Sequence, residues 1–150
     1  MTSLFDLRRY LETRKDVALD AIRVYLGVGL IVKGLAFLSH AGLLVESMHQ
    51  ARVSWGAGIL GHYVVLAHVC GGFLLAVGLF TRLAALVNVP VLFGAAFLVH
   101  SQGGLFTAEQ TLEFALLVLF LLVVFTVAGA GRFSLDAYVA RHDVLEPRRA

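Results

Sequence analysis

The chain has 150 residues, of which 59% are hydrophobic, and its mean hydropathy is +0.87. Soluble domains contain about 45–50% apolar residues, so this composition excludes an ordinary soluble globular protein. The formal net charge of +2 is too small to indicate nucleic-acid binding. Cys70 is the only cysteine, which excludes both an internal disulfide and a CxxC redox pair.

Four apolar segments dominate the sequence, and they cover residues 21–41, 59–80, 83–100 and 111–130. A bilayer hydrocarbon core is about 30 Å thick and takes about 20 helical residues to cross. The segments therefore predict an all-α protein whose domain 21–131 is a transmembrane four-helix bundle. Residues 1–20 are charged and amphipathic, with no cleavage site after the first apolar run, so we expect that run to be a retained span. Residues 132–150 form a tail, and a short amphipathic helix is expected at each end of the chain.

Basic residues indicate the orientation of the spans. Most basic residues lie before or at the start of the first apolar segment, between the second and third segments, or after the fourth segment. They are Arg8, Arg9, Arg14, Lys15, Arg23, Arg82, Arg132, Arg141, Arg148 and Arg149. The loops between the first and second segments and between the third and fourth segments contain one basic residue, Arg52. The positive-inside rule therefore predicts a multi-pass protein with both termini and the Arg82 turn in the cytoplasm.

Two ionisable residues lie deep in the predicted spans. Lys33 comes ten positions after Arg23, which at 1.5 Å per residue places it about 15 Å inside the membrane, and His68 lies at a similar level. Ionisable groups in hydrocarbon are costly and usually face the bundle interior at a functional site. We expect Lys33 to need an acceptor, such as neutral His68, Asn88 or an oxygen atom of a ligand.

A second polar layer is predicted nearer the outer surface, with one residue from each helix: His40, His62, His100 and Glu113. Three histidines and a carboxylate could bind a metal, a haem or a quinone headgroup, or they could transfer protons. The alternative is that they are ordinary side chains at the wet interface. The sequence contains no HxxxH pair, so whether a metal binds stays open.

Small residues mark the predicted packing faces of the helices, and Gly71 and Gly72 are the main candidates because small side chains let membrane helices approach closely. The sequence has no flavin or nicotinamide fingerprint and no haem-attachment motif. A catalytic redox centre would therefore belong to a partner protein.

Three stretches resemble the DoxX family of small bacterial four-span membrane proteins, and together they cover about residues 20–137. They are GGFLLAVGLFTRLAAL (Gly71–Leu86), Glu113 followed by GAGRFSLD (Gly129–Asp136), and the looser match RVYLGVGLIVKGL (Arg23–Leu35). His100 also falls where the family often has histidine. The resemblance implies a four-span protein of the bacterial cytoplasmic membrane.

The chain departs from the family pattern at three positions. The family commonly has Glu at the position of His68, His at that of Lys33, and Lys at that of Phe37. A Glu–Lys pair of the family is thus replaced here by a His–Lys arrangement. The resemblance implies a redox role, because some members resemble or belong to thiosulfate:quinone oxidoreductases and others are membrane partners of redox and thiol-stress proteins.

These observations lead to two hypotheses. The first is an integral membrane subunit of a redox system that binds a quinone, with a ligand or proton-relay set of Arg23, Lys33, His68, His100 and Glu113. Lysine and histidines would bond to the quinone oxygens, and Glu113 would supply or accept the proton. The second is a non-catalytic scaffold or assembly factor that docks a protein partner through the helix faces at Gly71 and Gly72. Whether the chain is part of an enzyme stays open; its expected contacts are membrane lipid and a protein partner, without nucleic acid.

Overall fold

The computed structural model describes residues 4–40, 42, 45–46, 57–100 and 110–145, with side chains described between residues 15 and 142. All of the regular structure in these ranges is helical. Helix α1 is Leu4–Ser39. Helix α2 consists of Ala57–Leu66, a π-helical turn at Ala67–Gly71, and Gly72–Val77. Helix α3 is Thr81–Gly94 and continues as a π-helical turn at Ala95–Val99; α4 is Thr111–Ala128 and α5 is Leu135–Leu145.

Four of these helices are long and apolar enough to cross a membrane, over Lys15–Ser39, Gly58–Val77, Thr81–Val99 and Thr111–Ala128. This confirms the prediction of an all-α fold with four apolar helices that could form a transmembrane bundle. Large apolar side chains such as Phe73, Phe93 and Phe120 are more than half exposed on α2, α3 and α4. Because a lipid environment solvates such side chains, the outer surface of the bundle fits contact with membrane lipid.

Helix α1 runs without a break past the predicted boundary at residue 20. It is continuous over 36 residues, which corresponds to about 54 Å and exceeds the membrane thickness of about 30 Å. The reason is local, because no Gly or Pro interrupts residues 4–26. The predicted amphipathic face of residues 4–14 lies outside the described side chains, as do residues 101–109 and 146–150.

The turn between α2 and α3 is fixed by the start of α5. Gly78 and Phe80 have left-handed backbones, with φ of 74° and 47°. The backbone N–H groups of Phe80 and Thr81 donate to the two carboxylate oxygens of Asp136, at 2.7 and 3.0 Å. These amides belong to the first turn of α3, where they have no partner within the helix. Asp136 therefore caps α3 from a distant part of the chain.

Arg23 joins three parts of the chain at the same end of the bundle. Arg23 is only 1% exposed. Its guanidinium donates hydrogen bonds to the carbonyl oxygens of Leu75 at 2.6 Å, Ala76 at 2.9 Å and Phe133 at 3.3 Å. It also forms an ion pair with Asp20 at 3.2 Å, and Asp20 accepts a hydrogen bond from the Phe133 N–H at 2.9 Å. We call this the hairpin end, and the end at Ser39 and Thr111 the open end.

Two glycines of α2 make close contacts with neighbouring helices, one with backbone and one with a side chain. A Cβ atom on Gly72 would lie 2.8 Å from the carbonyl oxygen of Gly27, so α1 and α2 can approach this closely only with glycine. A Cβ atom on Gly71 would overlap the side-chain amide of Asn88 on α3. The two glycines thus lie inside the bundle, one against α1 and the other against α3.

The hydrophobic core is divided into two parts along the bundle axis. At the hairpin end one cluster contains side chains from all four long helices: Leu26, Leu30, Leu75, Ala84, Ala85, Leu92, Val118, Leu122 and Phe125. Toward the open end a second cluster contains only Ala96 of α3 and Leu112 and Ala115 of α4, with Leu116 packed on it. Within the described residues, this second cluster therefore includes no buried side chain of α1 or α2.

Candidate functional site

A cavity of about 650 Å³ lies among the four long helices, next to the first core cluster. Its walls come from α1, α2, α3 and α4 and are mostly apolar. Small-molecule sites in proteins typically have volumes of about 300–1,000 Å³ and carry a few polar groups on an apolar lining. Here the ionisable side chains among the lining residues include Lys33, His68 and His100. Three of the five predicted site residues thus line one cavity.

The imidazole of His68 is buried and lies on the π-helical turn of α2, with 4% of the residue exposed. Its Nδ1 atom lies 2.9 Å from the carbonyl oxygen of Val64. Because a carbonyl oxygen accepts a hydrogen bond, this contact places a proton on Nδ1, and in a neutral imidazole the lone pair is then on Nε2. Gly34 makes the position possible, since a Cβ atom there would lie 2.8 Å from the His68 Cβ.

Phe37 lies between the two deep polar side chains. The Lys33 Nζ is 5.0 Å from the centroid of the Phe37 ring, which is the geometry of a cation–π interaction. The same ring meets the His68 ring edge to face, with centroids 5.8 Å apart and an interplanar angle of 82°. The four-residue spacing between Lys33 and Phe37 is the signal that could have identified this pair.

Lys33 supplies a positive charge to this cavity. It shares the cavity wall with His68 and His100. Among the described residues, the salt bridges are Arg23–Asp20 and Arg132–Asp16, and neither includes Lys33. Lys33 is exposed rather than buried as the sequence predicted, so its side chain belongs to the outer surface as well as to the cavity wall. An ammonium on an apolar wall, without a carboxylate partner in the described part of the chain, favours a ligand with a hydrogen-bond acceptor or negative charge.

The structure places the other two predicted site residues elsewhere. Arg23 is at the hairpin end and is not among the residues that line the cavity. Glu113 lines a smaller pocket of about 400 Å³ at the start of α4. Phe114 and Leu117 line both spaces. Glu113 is therefore a neighbour of the cavity rather than part of its wall.

The predicted outer layer of histidines does not assemble as a metal site in the described residues. No group of three His, Cys, Asp or Glu side chains within them is placed to hold a metal ion. His40 is exposed, and exposed His62 has its Nδ1 2.7 Å from the carbonyl oxygen of Gly58 on its own helix. Only His100 of these histidines lines the cavity.

Tyr63 is a cavity residue that the sequence analysis missed. Its hydroxyl donates a hydrogen bond of 2.7 Å to the carbonyl oxygen of Val87 on α3. A backbone carbonyl has two lone pairs, so this oxygen can accept the phenol and still take part in its own helix. The bond links α2 to α3 beside the cavity.

A comparison with protein-family models finds that the DoxX model matches residues 18–101. The match covers more than half of the 150 residues. The chain belongs to the DoxX family. With its four apolar helices, it is an integral membrane protein of that family, which confirms the resemblance found in the sequence. Comparisons with curated proteins and with solved structures give no significant match.

In this DoxX protein the matched segment contains most of the cavity. Lys33, His68 and His100 lie within residues 18–101, as do the buried glycines Gly71 and Gly72. Helix α4 and Glu113 lie beyond the matched residues. The polar part of the cavity is therefore built from the family segment, and α4 contributes mainly apolar wall.

Proposed function

We propose that this protein is the membrane subunit of a redox system and that it binds a quinone in the cavity. The observation that carries the proposal is the convergence of Lys33, His68 and His100 on one apolar cavity of about 650 Å³. A quinone has an apolar ring and two carbonyl oxygens that accept hydrogen bonds. The cavity offers an apolar wall and nitrogen groups that can donate to such oxygens.

Each polar residue has a separate role in this proposal. The Lys33 ammonium donates to one carbonyl oxygen and holds the negative charge that develops there on reduction. The Nε2 lone pair of His68 accepts a hydrogen bond from a hydroquinone hydroxyl. His100 and the neighbouring Glu113 exchange the protons with water at the open end. Reduction of the quinone takes two electrons from a redox centre on a partner protein and two protons, and yields the hydroquinone.

The proposed location is the cytoplasmic membrane of a bacterium, with the hairpin end and both termini in the cytoplasm. The charge distribution supports this orientation, because the described basic residues that are exposed outside the spans or at their ends, Lys15, Arg82, Arg132 and Arg141, belong to the hairpin end, and exposed Lys33 lies within a span. The described residues of the open end include no Lys or Arg. Fusing a reporter that is active only in the cytoplasm to the carboxyl end of the chain tests the orientation.

The alternative scaffold function would need a different surface from the predicted one. Gly71 and Gly72 already contact Asn88 and Gly27 inside the bundle. A partner could reach them only if α2 separated from its neighbours. We therefore give the quinone proposal priority.

The proposal is tested by titrating a short-chain quinone analogue into the purified protein in lipid nanodiscs. Gly94→Phe should abolish binding, because Gly94 lines the cavity and a Cβ atom there meets nothing within 4 Å. Gly58→Phe is the matched control, since Gly58 has equal space but does not line the cavity. Lys33→Met should weaken binding strongly. Absence of binding to the unmodified protein, or equal binding by both Phe variants, would refute the proposal.

A further inference from the structure

The cavity borders two seams between helices, and these seams differ. On one side α2 faces α3, and on the other side α1 faces α4. The α2–α3 seam is bridged by the hydrogen bond of 2.7 Å from the Tyr63 hydroxyl to the carbonyl oxygen of Val87. Below it, the turn capped by Asp136 joins the same two helices covalently. The α2–α3 seam is therefore bridged by a direct hydrogen bond beside the cavity.

The α1–α4 seam has a different structure toward the open end. The core cluster in that half contains α3 and α4 side chains and none from α1. On α1, the cavity residues Tyr25, Gly29 and Val32 lie away from Gly27, which packs on α2. Tyr25 is 78% exposed and Val32 is 61% exposed although both border the cavity. They thus belong to the cavity wall and also to the outer surface.

The α4 side of the seam has the same character. Phe114, Leu117 and Leu121 line the cavity, and Phe114 and Leu117 are 64% and 54% exposed. Opposite them, Gly29 has no side chain, and a Cβ atom placed on it meets nothing within 4 Å. The rim on both helices is apolar, so lipid chains can solvate it without loss of hydrogen bonds.

We infer that the α1–α4 seam is a lateral portal, through which the apolar chain of a bound ligand extends from the cavity into the bilayer. This inference rests on the proposed quinone function and specifies its ligand as a prenylated quinone. The headgroup lies at Lys33, His68 and His100, and the prenyl chain passes between α1 and α4. A cavity of about 650 Å³ holds a headgroup of drug-like size. A long prenyl chain must therefore lie outside it.

The portal is tested with a quinone analogue that carries a photoreactive diazirine on its prenyl chain. The full-length protein in nanodiscs is irradiated with the analogue, and the labelled residues are identified by mass spectrometry. Labelling should concentrate on Val32 and Leu117 and should disappear when a short-chain quinone competes for the headgroup site. Competable labelling on Leu60 or Leu98 instead would overturn the portal and leave the quinone proposal intact. If the short-chain quinone neither binds nor competes, the quinone proposal itself fails.

A variant at the portal gives an independent measurement. Gly29→Phe should narrow the seam and weaken binding of the long-chain quinone by about tenfold, which corresponds to about 1.4 kcal/mol. Binding of a quinone without the prenyl chain should change much less, because the headgroup position is unaltered. Gly58→Phe, outside the cavity, should leave both affinities unchanged. Equal loss of both ligands in Gly29→Phe, or no loss of either, would contradict a portal at this seam.

Discussion

Replacing Arg23 by methionine should destabilise the protein and leave the cavity chemistry intact. The guanidinium donates to three backbone carbonyls and pairs with Asp20, whose side chain is 10% exposed, whereas that of Arg23 is 2% exposed. Removing one partner of a buried ion pair costs about 3–5 kcal/mol, because the other charge stays buried without compensation. We expect Arg23→Met to lower the free energy of unfolding by about this amount.

The control is the exposed ion pair at the same end of the bundle. Arg132 and Asp16 are 3.8 Å apart, with side chains 62% and 39% exposed. Exposed pairs contribute about 0–1 kcal/mol, so Arg132→Met should have a small effect. Both variants can be compared by unfolding in mixed micelles, followed by circular dichroism and linear extrapolation.

Two results would refute this reasoning about Arg23. One is an unfolding free energy for Arg23→Met equal to that of Arg132→Met. The other is loss of quinone binding with unchanged stability, since that would place Arg23 in the ligand site as the sequence analysis expected. A double-mutant cycle with Asp20→Asn should give a coupling energy of about 0.5–3 kcal/mol.

Three further predictions concern single contacts. Gly72→Ala should lower the free energy of unfolding by about 1–3 kcal/mol through overpacking against α1, whereas Gly29→Ala, in open space, should raise it by up to about 1 kcal/mol through helix propensity; thermal unfolding measures both. Phe37→Ala should weaken binding of the quinone analogue by about 0.5–2 kcal/mol, because the ring holds the Lys33 ammonium, and titration of the folded variant checks this. Asp136→Ala should cost about 0.5–2 kcal/mol by removing the cap of α3, and an unchanged unfolding midpoint would contradict it.

Much of the fold was predictable because membrane crossing depends on local composition. The four apolar segments can be located without knowledge of their partners. The second, third and fourth described spans begin and end within three residues of the predicted limits, whereas the first begins six residues earlier, at Lys15. The same reasoning placed Lys33 and His68 at one depth. The structure brings both to one cavity.

The packing partners were not predictable from one sequence. The role of Arg23 depends on carbonyl oxygens 52 and 53 residues away, which are available because α2 ends at Gly78. Depth alone could not separate Glu113 from His100, since the side on which a residue faces depends on helix rotation. The π-helical turn at His68 changes that rotation and has no simple sequence signal.

The cap on α3 also has a consequence for the order of biosynthesis. The carboxylate that satisfies the Thr81 amide comes from a residue synthesised 55 positions later. Both central helices and all of α4 are therefore synthesised before the acceptor exists. Until then the amides at the start of α3 depend on water or headgroups. The arrival of Asp136, rather than insertion of the central helices, locks this end of the protein.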